Sequence, residues 1–294
     1  TDANGCVDSE TITVSEPDEY VSSYVITSIN NSFGVSCNGS TDGSIDITVY
    51  GGTSPHSYLW STGATTQDLD SIGAGTYVIT ATDTNGCQTT QTVIITEPDS
   101  LLSTYTTSAS ANDWNGYDIQ CNGDDNGEIT MDVTGGIDSL AYTYDIDGAS
   151  NGSNIFSSLS EGTYVITATD ANGCQTTQTV DMIAPDSSVV LTYTQSNYNG
   201  VGVSCHGDTD GFINTFVEGG VLDYIYIWTP TGDTTSSIDS IGFGSYTVTV
   251  TDANGCVDSE TITVSEPDEY FSSYVITSTN NSFGVSCNGS TDGS

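Results

Sequence analysis

The chain has 294 residues, with 39 Asp and Glu, two His and no Lys or Arg, so its formal net charge at pH 7 is −39. A protein without cationic side chains cannot neutralise phosphates, which excludes nucleic-acid binding. The same lack excludes a polybasic contact with anionic lipid, and any arginine clamp or lysine Schiff base for a small-molecule substrate. The surface must tolerate self-repulsion through salt, divalent cations or a shape that separates the charges.

The composition favours several small β domains over one large core. Hydrophobic residues make up 35% of the chain, and 32 residues are Gly. The high net charge is also typical of disorder, but 17 Tyr, 7 Phe and 3 Trp stand in regular strand patterns, which argues against it. The sequence contains no run of 18 apolar residues, so no membrane-spanning segment is predicted. The chain opens within a repeat, so we expect it to be an internal piece of a longer protein.

Self-comparison shows a tandem repeat. Residues 1–44 match residues 251–294 except at Val21 against Phe271 and Ile29 against Thr279, and a shorter period of about 84 residues lies inside this one. One marker of the shorter period is the set Cys37, Cys121, Cys205 and Cys287, and the other is a turn that ends at Cys6, Cys87, Cys174 and Cys256. The predicted modules are a partial one at 1–34 that holds the last strands of a module, whole ones at 35–118, 119–202 and 203–284, and the start of the next at 285–294.

In the first whole module, every predicted element is a β-strand. The predicted strands are 44–50, 57–60, 67–72, 76–82, 91–95 and 103–107, with alternating apolar residues and Gly, Asn-Gly or Pro between them. About seven short strands with turns every 8–12 residues are typical of an immunoglobulin-like sandwich. Tyr77, Tyr164 and Tyr246 stand where a tyrosine corner would lie. The predicted fold is therefore all-β, with Ig-like modules of about 84 residues arranged as an elongated rod.

The combination of motifs resembles the SprB repeat. It comprises Cys-Asn-Gly-x-x-Asp-Gly at 37–43, Gly51-Gly52, an aromatic strand with Trp60, and a segment from Gly75 that ends in Asp-Thr-Asn-Gly-Cys at Cys87. The resemblance extends over the whole chain, although Tyr144 stands near the place of Trp60 and Trp228 in the second module. SprB repeats build very large surface adhesins of gliding Bacteroidetes, exported by the type IX secretion system. The resemblance therefore implies a secreted, cell-surface, filamentous protein.

The eight cysteines predict disulfides in an oxidising compartment, with two pairings open. Pairing within a module gives Cys37–Cys87, Cys121–Cys174 and Cys205–Cys256. Pairing across the shorter gap gives Cys6–Cys37, Cys87–Cys121, Cys174–Cys205 and Cys256–Cys287. In an Ig-like module Cys37 and Cys87 would lie about 20 Å apart at opposite ends of parallel strands, too far for a bridge. We therefore prefer the shorter-gap pairing, which would staple successive modules.

Acidic turns offer candidate Ca²⁺ ligands, the one cofactor considered for this chain. The candidates are Asp42, Asp83, Asp124, Asp125, Asp170, Asp208, Asp210 and Asp252. None has EF-hand spacing, and Asp in tight turns more commonly serves the turn itself.

The remaining distinctive residues point to structure more than to chemistry. His56 and His206 have no repeated partner, and Trp60 and Trp228 are predicted to be core residues and not a sugar platform. Five Asp-Ser/Thr-x triplets resemble the O-glycosylation signal of Bacteroidetes, at Ser71, Ser100, Ser139, Thr234 and Ser240.

These features predict a non-enzymatic repeat region of an outer-membrane-anchored adhesin that serves attachment and gliding. The expected partners are a surface polysaccharide or other substratum, the gliding and secretion machinery of the outer membrane, and the protein itself in filaments. The alternatives are a carbohydrate- or calcium-dependent binding module and a self-assembling fibre or sheath subunit. An enzyme would need a constellation that breaks the repeat, and none is found.

Overall fold

The computed structural model describes residues 1–109, 114–137, 142–275, 277 and 291. The chain divides into two compact units, Thr1–Asn112 with Asp125–Ile183, and Asp113–Asp124 with Ala184–Ser294. In the described residues no helix has the length and apolarity needed to cross a membrane.

The first unit contains two sandwiches. The strands of the first are β1 (Val21–Ile26), β2 (Gly43–Tyr50), β3 (Ser57–Trp60), β4 (Leu69–Ile72), β5 (Gly75–Thr82) and β6 (Gln88–Ile95). They form two antiparallel sheets, in the orders β1-β2-β4 and β3-β5-β6. Ile45 and Ile47 of one sheet meet Trp60, Ile79 and Val93 of the other in a buried core. The alternation of apolar and polar residues in β2 and β6 thus places one face of each strand inside.

The second sandwich repeats this plan with one more strand. Its strands are β7 (Asp99–Thr107), β8 (Gly127–Gly136), β9 (Thr143–Ile146), β10 (Ala149–Asn151), β11 (Ile155–Leu159), β12 (Gly162–Thr169) and β13 (Gln175–Met182). The sheets are β11-β8-β7 and β10-β9-β12-β13. The additional strand β10 pairs with β9. Ile146 of β9 pairs with Ile166, the register that Trp60 and Ile79 have in the first sandwich. The place of the tryptophan is therefore taken by Ile146, and the expectation that Tyr144 stands there is wrong, because Tyr144 corresponds to Tyr58.

The second unit contains the third sandwich. Its strands are β14 (Val190–Gln195), β15 (Gly211–Glu218), β16 (Ile225–Thr229), β17 (Ser237–Ile241), β18 (Gly244–Thr251) and β19 (Val257–Val264). The sheets are β14-β15-β17 and β16-β18-β19, and Ile213, Trp228, Val248 and Ile262 are buried between them. Three successive sandwiches of paired antiparallel sheets confirm the predicted all-β, tandem Ig-like fold class.

The aromatic residues confirm their predicted roles. Trp60 and Trp228 are 2% and 1% exposed, and each indole N–H donates to a backbone carbonyl, that of Thr66 and that of Thr235. The hydroxyls of Tyr77, Tyr164 and Tyr246 each donate to the carbonyl four residues upstream, at distances of 2.9, 3.1 and 3.0 Å. These are tyrosine corners, and the tryptophans are core residues without an exposed face for a sugar.

The sheet pairings place the module boundaries earlier than the repeat markers suggested. The strand β1 lies in the predicted partial module 1–34 but pairs along its whole length with β2, and β7 lies in the predicted module 35–118 but pairs with β8. The third sandwich likewise begins with β14, inside 119–202. A sequence period fixes the length of the repeat but not where its folded unit begins, because pairing with the next strand decides that.

One eight-residue sequence occurs twice and has two structures. Residues 257–264 form β19, pair with β18 and bury Val264 completely, whereas the identical residues 7–14 form no strand and leave Val14 90% exposed. The last strands predicted for 1–34 are therefore absent from its first twenty residues, which the structure describes. The strand forms only where a partner strand offers hydrogen bonds and a core.

We predict that Asp46→Asn stabilises the first sandwich at neutral pH. The nearby negative charge of Asp68 raises the pKa of the Asp46 carboxyl, so ionisation of Asp46 costs stability above that raised pKa. The gain in stability from Asp46→Asn should shrink as the pH falls through the raised pKa, because residue 46 is then neutral in the variant and in the original protein. The gain should also shrink in high salt, which screens the repulsion from Asp68. Asn214 already stands at the equivalent position of the third sandwich.

Calorimetric melting at pH 7 and pH 3, each in low and high salt, measures this effect. The control is Asp8→Asn, which removes one charge from the exposed segment 7–14. A gain that persists unchanged at pH 3, or an equal gain from the control, would contradict the prediction.

Candidate functional site: cysteine turns and receiving loops

Each sandwich carries the same turn between its last two strands. We call these segments the cysteine turns, and they are Asp83–Cys87, Asp170–Cys174 and Asp252–Cys256. In each, the Oδ1 atom of Asp accepts hydrogen bonds from the backbone N–H groups two and four residues later, at 2.8–2.9 Å. The Asp backbone closes the turn through its own bonds to Cys and Gly. The turn Asp2–Cys6 has the same bonds without a sandwich beside it, so this conformation is local.

The second carboxylate oxygen ties the turn to its sandwich. In the first sandwich the Oδ2 atom of Asp83 accepts from the N–H of Thr53 at 2.8 Å, and this bond is the main cause that lowers the pKa of Asp83. Asp170 and Asp252 accept equivalent bonds from Ile137 and Val221. A carboxylate that accepts three N–H bonds needs no cation beside it.

The Gly-Gly pair after the second strand is explained by this carboxylate. A Cβ atom added to Gly52 would lie 3.2 Å from Asp83 Oδ2, and one added to Gly136 or Gly220 would lie 2.7 Å from the equivalent oxygen. These glycines also have positive φ angles of 64–66°. Only Gly meets both requirements, so the Gly-Gly motif and the Asp of the cysteine turn belong to one arrangement.

A second recurring segment ends at the other set of cysteines. We call these segments the receiving loops, and they are Asn31–Cys37, Asn115–Cys121 and Asn199–Cys205. Each begins with an Asn at φ 46–52°. In the first and third loops the residue before Cys donates its N–H to the carboxylate of Asp42 or Asp210 at 3.0 Å. Hydrogen bonding by Ser36, first from its side chain and then from its N–H, lowers the pKa of Asp42, and the N–H of Ser204 is the main cause that lowers the pKa of Asp210. The loop is thus shaped by the same chemistry as the turn.

In the first unit, the second cysteine turn docks on the first receiving loop. The Nδ2 group of Asn172 donates to the carbonyl of Ser36 at 2.8 Å, and its Oδ1 atom accepts from the Nδ2 group of Asn31. Cys174 forms a disulfide with Cys37, with a Cα–Cα distance of 5.7 Å. One amide therefore satisfies both its donor and its acceptor across the junction.

The second unit repeats the junction with equivalent residues. The Nδ2 group of Asn254 donates to the carbonyl of Gln120 at 3.1 Å, and its Oδ1 atom accepts from Asn115 at 2.6 Å. Gln120 adds a bond from its side chain to the carbonyl of Asn254 at 2.9 Å. Cys256 forms a disulfide with Cys121, with a Cα–Cα distance of 5.8 Å.

Both sequence-based pairings are wrong for the four bonded cysteines. The within-module pairs Cys37–Cys87, Cys121–Cys174 and Cys205–Cys256 and the shorter-gap pairs Cys6–Cys37, Cys87–Cys121, Cys174–Cys205 and Cys256–Cys287 do not form. Each bridge instead joins a receiving loop to the cysteine turn of the next sandwich, across 137 and 135 residues. The reason is that the turn docks on the loop of the preceding sandwich, which lies more than one repeat back in sequence. Of the cysteines described, Cys6, Cys87 and Cys205 are free and exposed; Cys287 lies outside the described residues.

The calcium candidates are used mainly by the backbone. Asp42, Asp83, Asp170, Asp210 and Asp252 accept the N–H bonds given above, and Asp208 accepts from the hydroxyl of Ser204 at 2.9 Å. Asp124 and Asp125 lie in the segment that follows Cys121. No group of three His, Cys, Asp or Glu among the described residues is placed to hold a metal ion. The calcium hypothesis therefore has no pre-formed cluster in that part of the chain.

The other candidates are placed as follows. The Nδ1 atom of His206 lies 3.3 Å from Oε1 of Glu266, and His56 stacks on Tyr20 with ring centroids 5.2 Å apart. Ser71, Ser100, Thr234 and Ser240 are exposed, so their glycosylation stays a prediction, and Ser139 lies outside the described residues.

Sequence reasoning missed the junction asparagines. Asn31, Asn115 and Asn199 recur with the period of the cysteines, as do Asn85, Asn172 and Asn254. The signal was present in this co-recurrence, but an Asn before Gly was interpreted as a turn former only.

Comparisons with known proteins agree with the resemblance noted in the sequence. The family described as the SprB repeat matches residues 34–65 and 117–151, which confirms the resemblance at these two segments. No curated protein matches the chain.

Several solved multi-domain proteins are similar in structure. Drosophila OTK extracellular domains 3–5 are 12% identical, covering 74% of this chain and 87% of that one, with a TM-score of 0.29. A tetra-tandem repeat from the extending region of a large adhesion protein is 14% identical, covering 85% and 74%, with a TM-score of 0.27. At these TM-scores neither similarity bears on function.

We predict that Asp252→Asn weakens the third sandwich by about 1–3 kcal/mol, because a buried acceptor of three N–H groups loses its charge and gains an N–H group of its own. Urea unfolding followed by tryptophan fluorescence, to which Trp228 of the same sandwich contributes, measures this.

The matched control is Asp233→Asn, an equal charge change at an exposed position of the same sandwich. Equal effects of the two substitutions would mean that net charge, and not the turn, sets the stability.

Proposed function

We propose that this chain is a repeat region of a very large, non-enzymatic cell-surface adhesin. In this proposal it extends as a filament from the outer membrane, attaches to a surface polysaccharide or another substratum, and serves gliding through the machinery that exports and moves it. The SprB repeat matches at 34–65 and 117–151 support the surface assignment. The recurrence of one junction at equivalent residues supports a structural role.

The observation that carries the proposal is that the two disulfides interleave. Cys121 lies within the loop that Cys37–Cys174 closes, and Cys174 lies within the loop that Cys121–Cys256 closes. When the two ends of the chain are pulled apart, two covalent paths carry the tension from Cys37 to Cys256. One path crosses the first bridge and follows the chain from Cys174, and the other follows the chain from Cys37 to Cys121 and crosses the second bridge.

The two paths are almost equally long, since the sequence separations of the bridges are 137 and 135 residues. Either bridge alone therefore limits extension of the chain to nearly the same length. Only the loss of both bridges releases the full backbone. Such redundancy is useful in a filament that carries tension, and it has no evident use in an enzyme.

Single-molecule pulling from the two termini tests this proposal. The starting protein has Cys6, Cys87, Cys205 and Cys287 replaced by Ser, so that only the four bonded cysteines remain. Breaking both bridges, by Cys174→Ser with Cys256→Ser, should add the 137 residues between Cys37 and Cys174 to the stretched path. At 3.3–3.6 Å per residue the gain is about 450–490 Å.

The single variants are the controls. Cys174→Ser alone and Cys256→Ser alone should each change the final extension by less than about 10 Å. If each single variant instead lengthens the chain on its own, the bridges act independently and the tension-sharing role is wrong.

A further inference from the structure

The outer face of β15 departs from the repeat. In each of β2, β8 and β15 the second, fourth and sixth residues point away from the core, and these are Ser44, Asp46 and Thr48, then Glu128, Thr130 and Asp132, then Phe212, Asn214 and Phe216. The first two sandwiches therefore carry hydroxyl and acidic side chains on this face. The third carries two phenylalanines with an amide between them.

Both phenylalanine rings are open to solvent. Phe212 is 37% exposed and Phe216 is 55% exposed. The equivalent residues of the second sandwich, Glu128 and Asp132, are exposed as well, although that sandwich has another one before it and another after it in the chain. This face therefore stays open where the repeat continues in both directions.

Uncharged polar groups surround the two rings. Thr192 of β14 lies opposite Phe216. Asn214 lies between Thr194 of β14 and Ser237 of β17. Within the part of the chain that the structure describes, the half-buried amide of Asn214 makes no hydrogen bond. This amide is therefore available to a ligand that crosses the face.

The spacing of the rings requires an extended ligand. Phe212 and Phe216 are four residues apart on one strand, which is about 13 Å at the rise of an antiparallel strand. A single sugar ring or another small molecule cannot touch both. A ligand that contacts both rings must pass over Asn214, which lies midway between them.

The charge of the chain limits the chemistry of this ligand. Glu218 and Asp239 flank the two rings on the same face, and the chain has no Lys or Arg to offset them. An anionic ligand would be repelled. Protein and membrane contacts are marked by large continuous apolar patches, whereas an amide separates these two rings. The face thus fits an uncharged ligand that is apolar at intervals.

We propose that the outer face of β15 binds an uncharged, extended polysaccharide. A pyranose ring has a face of C–H groups and a rim of hydroxyls. The C–H faces of two separated sugar units stack on Phe212 and Phe216, and hydroxyls of the unit between them bond to the Asn214 amide. The inference deepens the proposed function and rests on it, because it assigns attachment to a polysaccharide to one face of the third sandwich.

Binding of the full chain to immobilised polysaccharides, followed by biolayer interferometry, tests the inference. The neutral probes are hydroxyethyl cellulose, xylan, galactomannan, chitin and agarose, and carboxymethyl cellulose is the anionic match of the first. At least one neutral polysaccharide should bind the chain with little dependence on salt. Carboxymethyl cellulose should bind more weakly than hydroxyethyl cellulose at low salt, and the difference should narrow in high salt, which screens the repulsion.

Three variants that install the residue of the first sandwich separate this face from other exposed aromatic residues. Phe212→Ser and Phe216→Thr should each weaken binding about two- to tenfold, because one stacking contact is lost. The matched control is Phe243→Ala, which removes a phenylalanine that is 62% exposed in the turn before β18, and it should leave binding unchanged. Equal melting temperatures of the variants and the original chain show that all of them fold.

A fourth variant tests the amide. Asn214→Asp also installs the residue of the first sandwich, Asp46, and it exchanges the amide for a carboxylate without removing a ring. It should weaken binding about two- to tenfold, because the N–H donors to the sugar hydroxyls are lost.

Binding to none of the neutral polysaccharides would overturn the inference, as would equal losses from Phe216→Thr and Phe243→Ala. Stronger binding to carboxymethyl cellulose than to hydroxyethyl cellulose at low salt would contradict it too. Self-association of the chain, or binding to phosphatidylcholine vesicles, that Phe216→Thr abolishes would assign the face to another partner and overturn it. The four bonded cysteines are not on this face, so the pulling test of the proposed function and this test can fail independently.

Discussion

The structure depends on one interaction, in which a cysteine turn of sequence Asp-x-Asn-Gly-Cys docks on the receiving loop of the preceding sandwich. The Asp carboxylate organises the turn through three backbone N–H groups, and that conformation presents Asn and Cys side by side. The Asn amide then meets a carbonyl and a second amide, and the Cys is brought within bridging distance. This contact explains the Gly-Gly pair beside the turn and the two disulfides between successive sandwiches. It also explains why the cysteines of an undocked turn and an undocked loop, Cys87 and Cys205, are exposed.

The absence of Lys and Arg explains why the junction is built from amides. A chain with 39 carboxylates and no Lys or Arg cannot use Lys or Arg salt bridges to hold modules together, and among the described residues the contact found between a basic and an acidic side chain is that of His206 with Glu266. The carboxylates that matter to the fold accept hydrogen bonds from the protein itself. The side chain and then the N–H of Ser36 lower the pKa of Asp42, and backbone N–H groups are the main cause that lowers the pKa of Asp83 and Asp210. Because the folded pKa of these groups is lowered, their contribution to stability is present above the ordinary Asp value and is lost as the pH falls below it. Neutral amides can join two acidic surfaces without adding to their repulsion, and a disulfide is indifferent to salt.

Local pattern predicted much of the fold, because each strand, turn and tyrosine corner depends on residues close in sequence. The alternation in β2, the Asn-Gly turns and the positions of Tyr77, Trp60 and Trp228 were all readable in this way. The disulfides were not, because Cys37 and Cys174 meet through packing of one sandwich on the loop of another. Residues 7–14 and 257–264 show the same limit within one sequence. Eight identical residues form a strand only where β18 is present, whereas the turn at Asp2–Cys6 forms without any partner.

The account is tested most directly by mapping the disulfides of the native, unreduced protein. After thiols are blocked at low pH and the chain is cleaved without reduction, mass spectrometry identifies which cysteine peptides are joined. The docking of turn on loop predicts joined peptides that contain Cys37 with Cys174 and Cys121 with Cys256, and blocked thiols at Cys87 and Cys205 in the monomer. Peptides that join Cys37 with Cys87, or Cys87 with Cys121, would contradict it, since neither pair can form while the turns are docked as described.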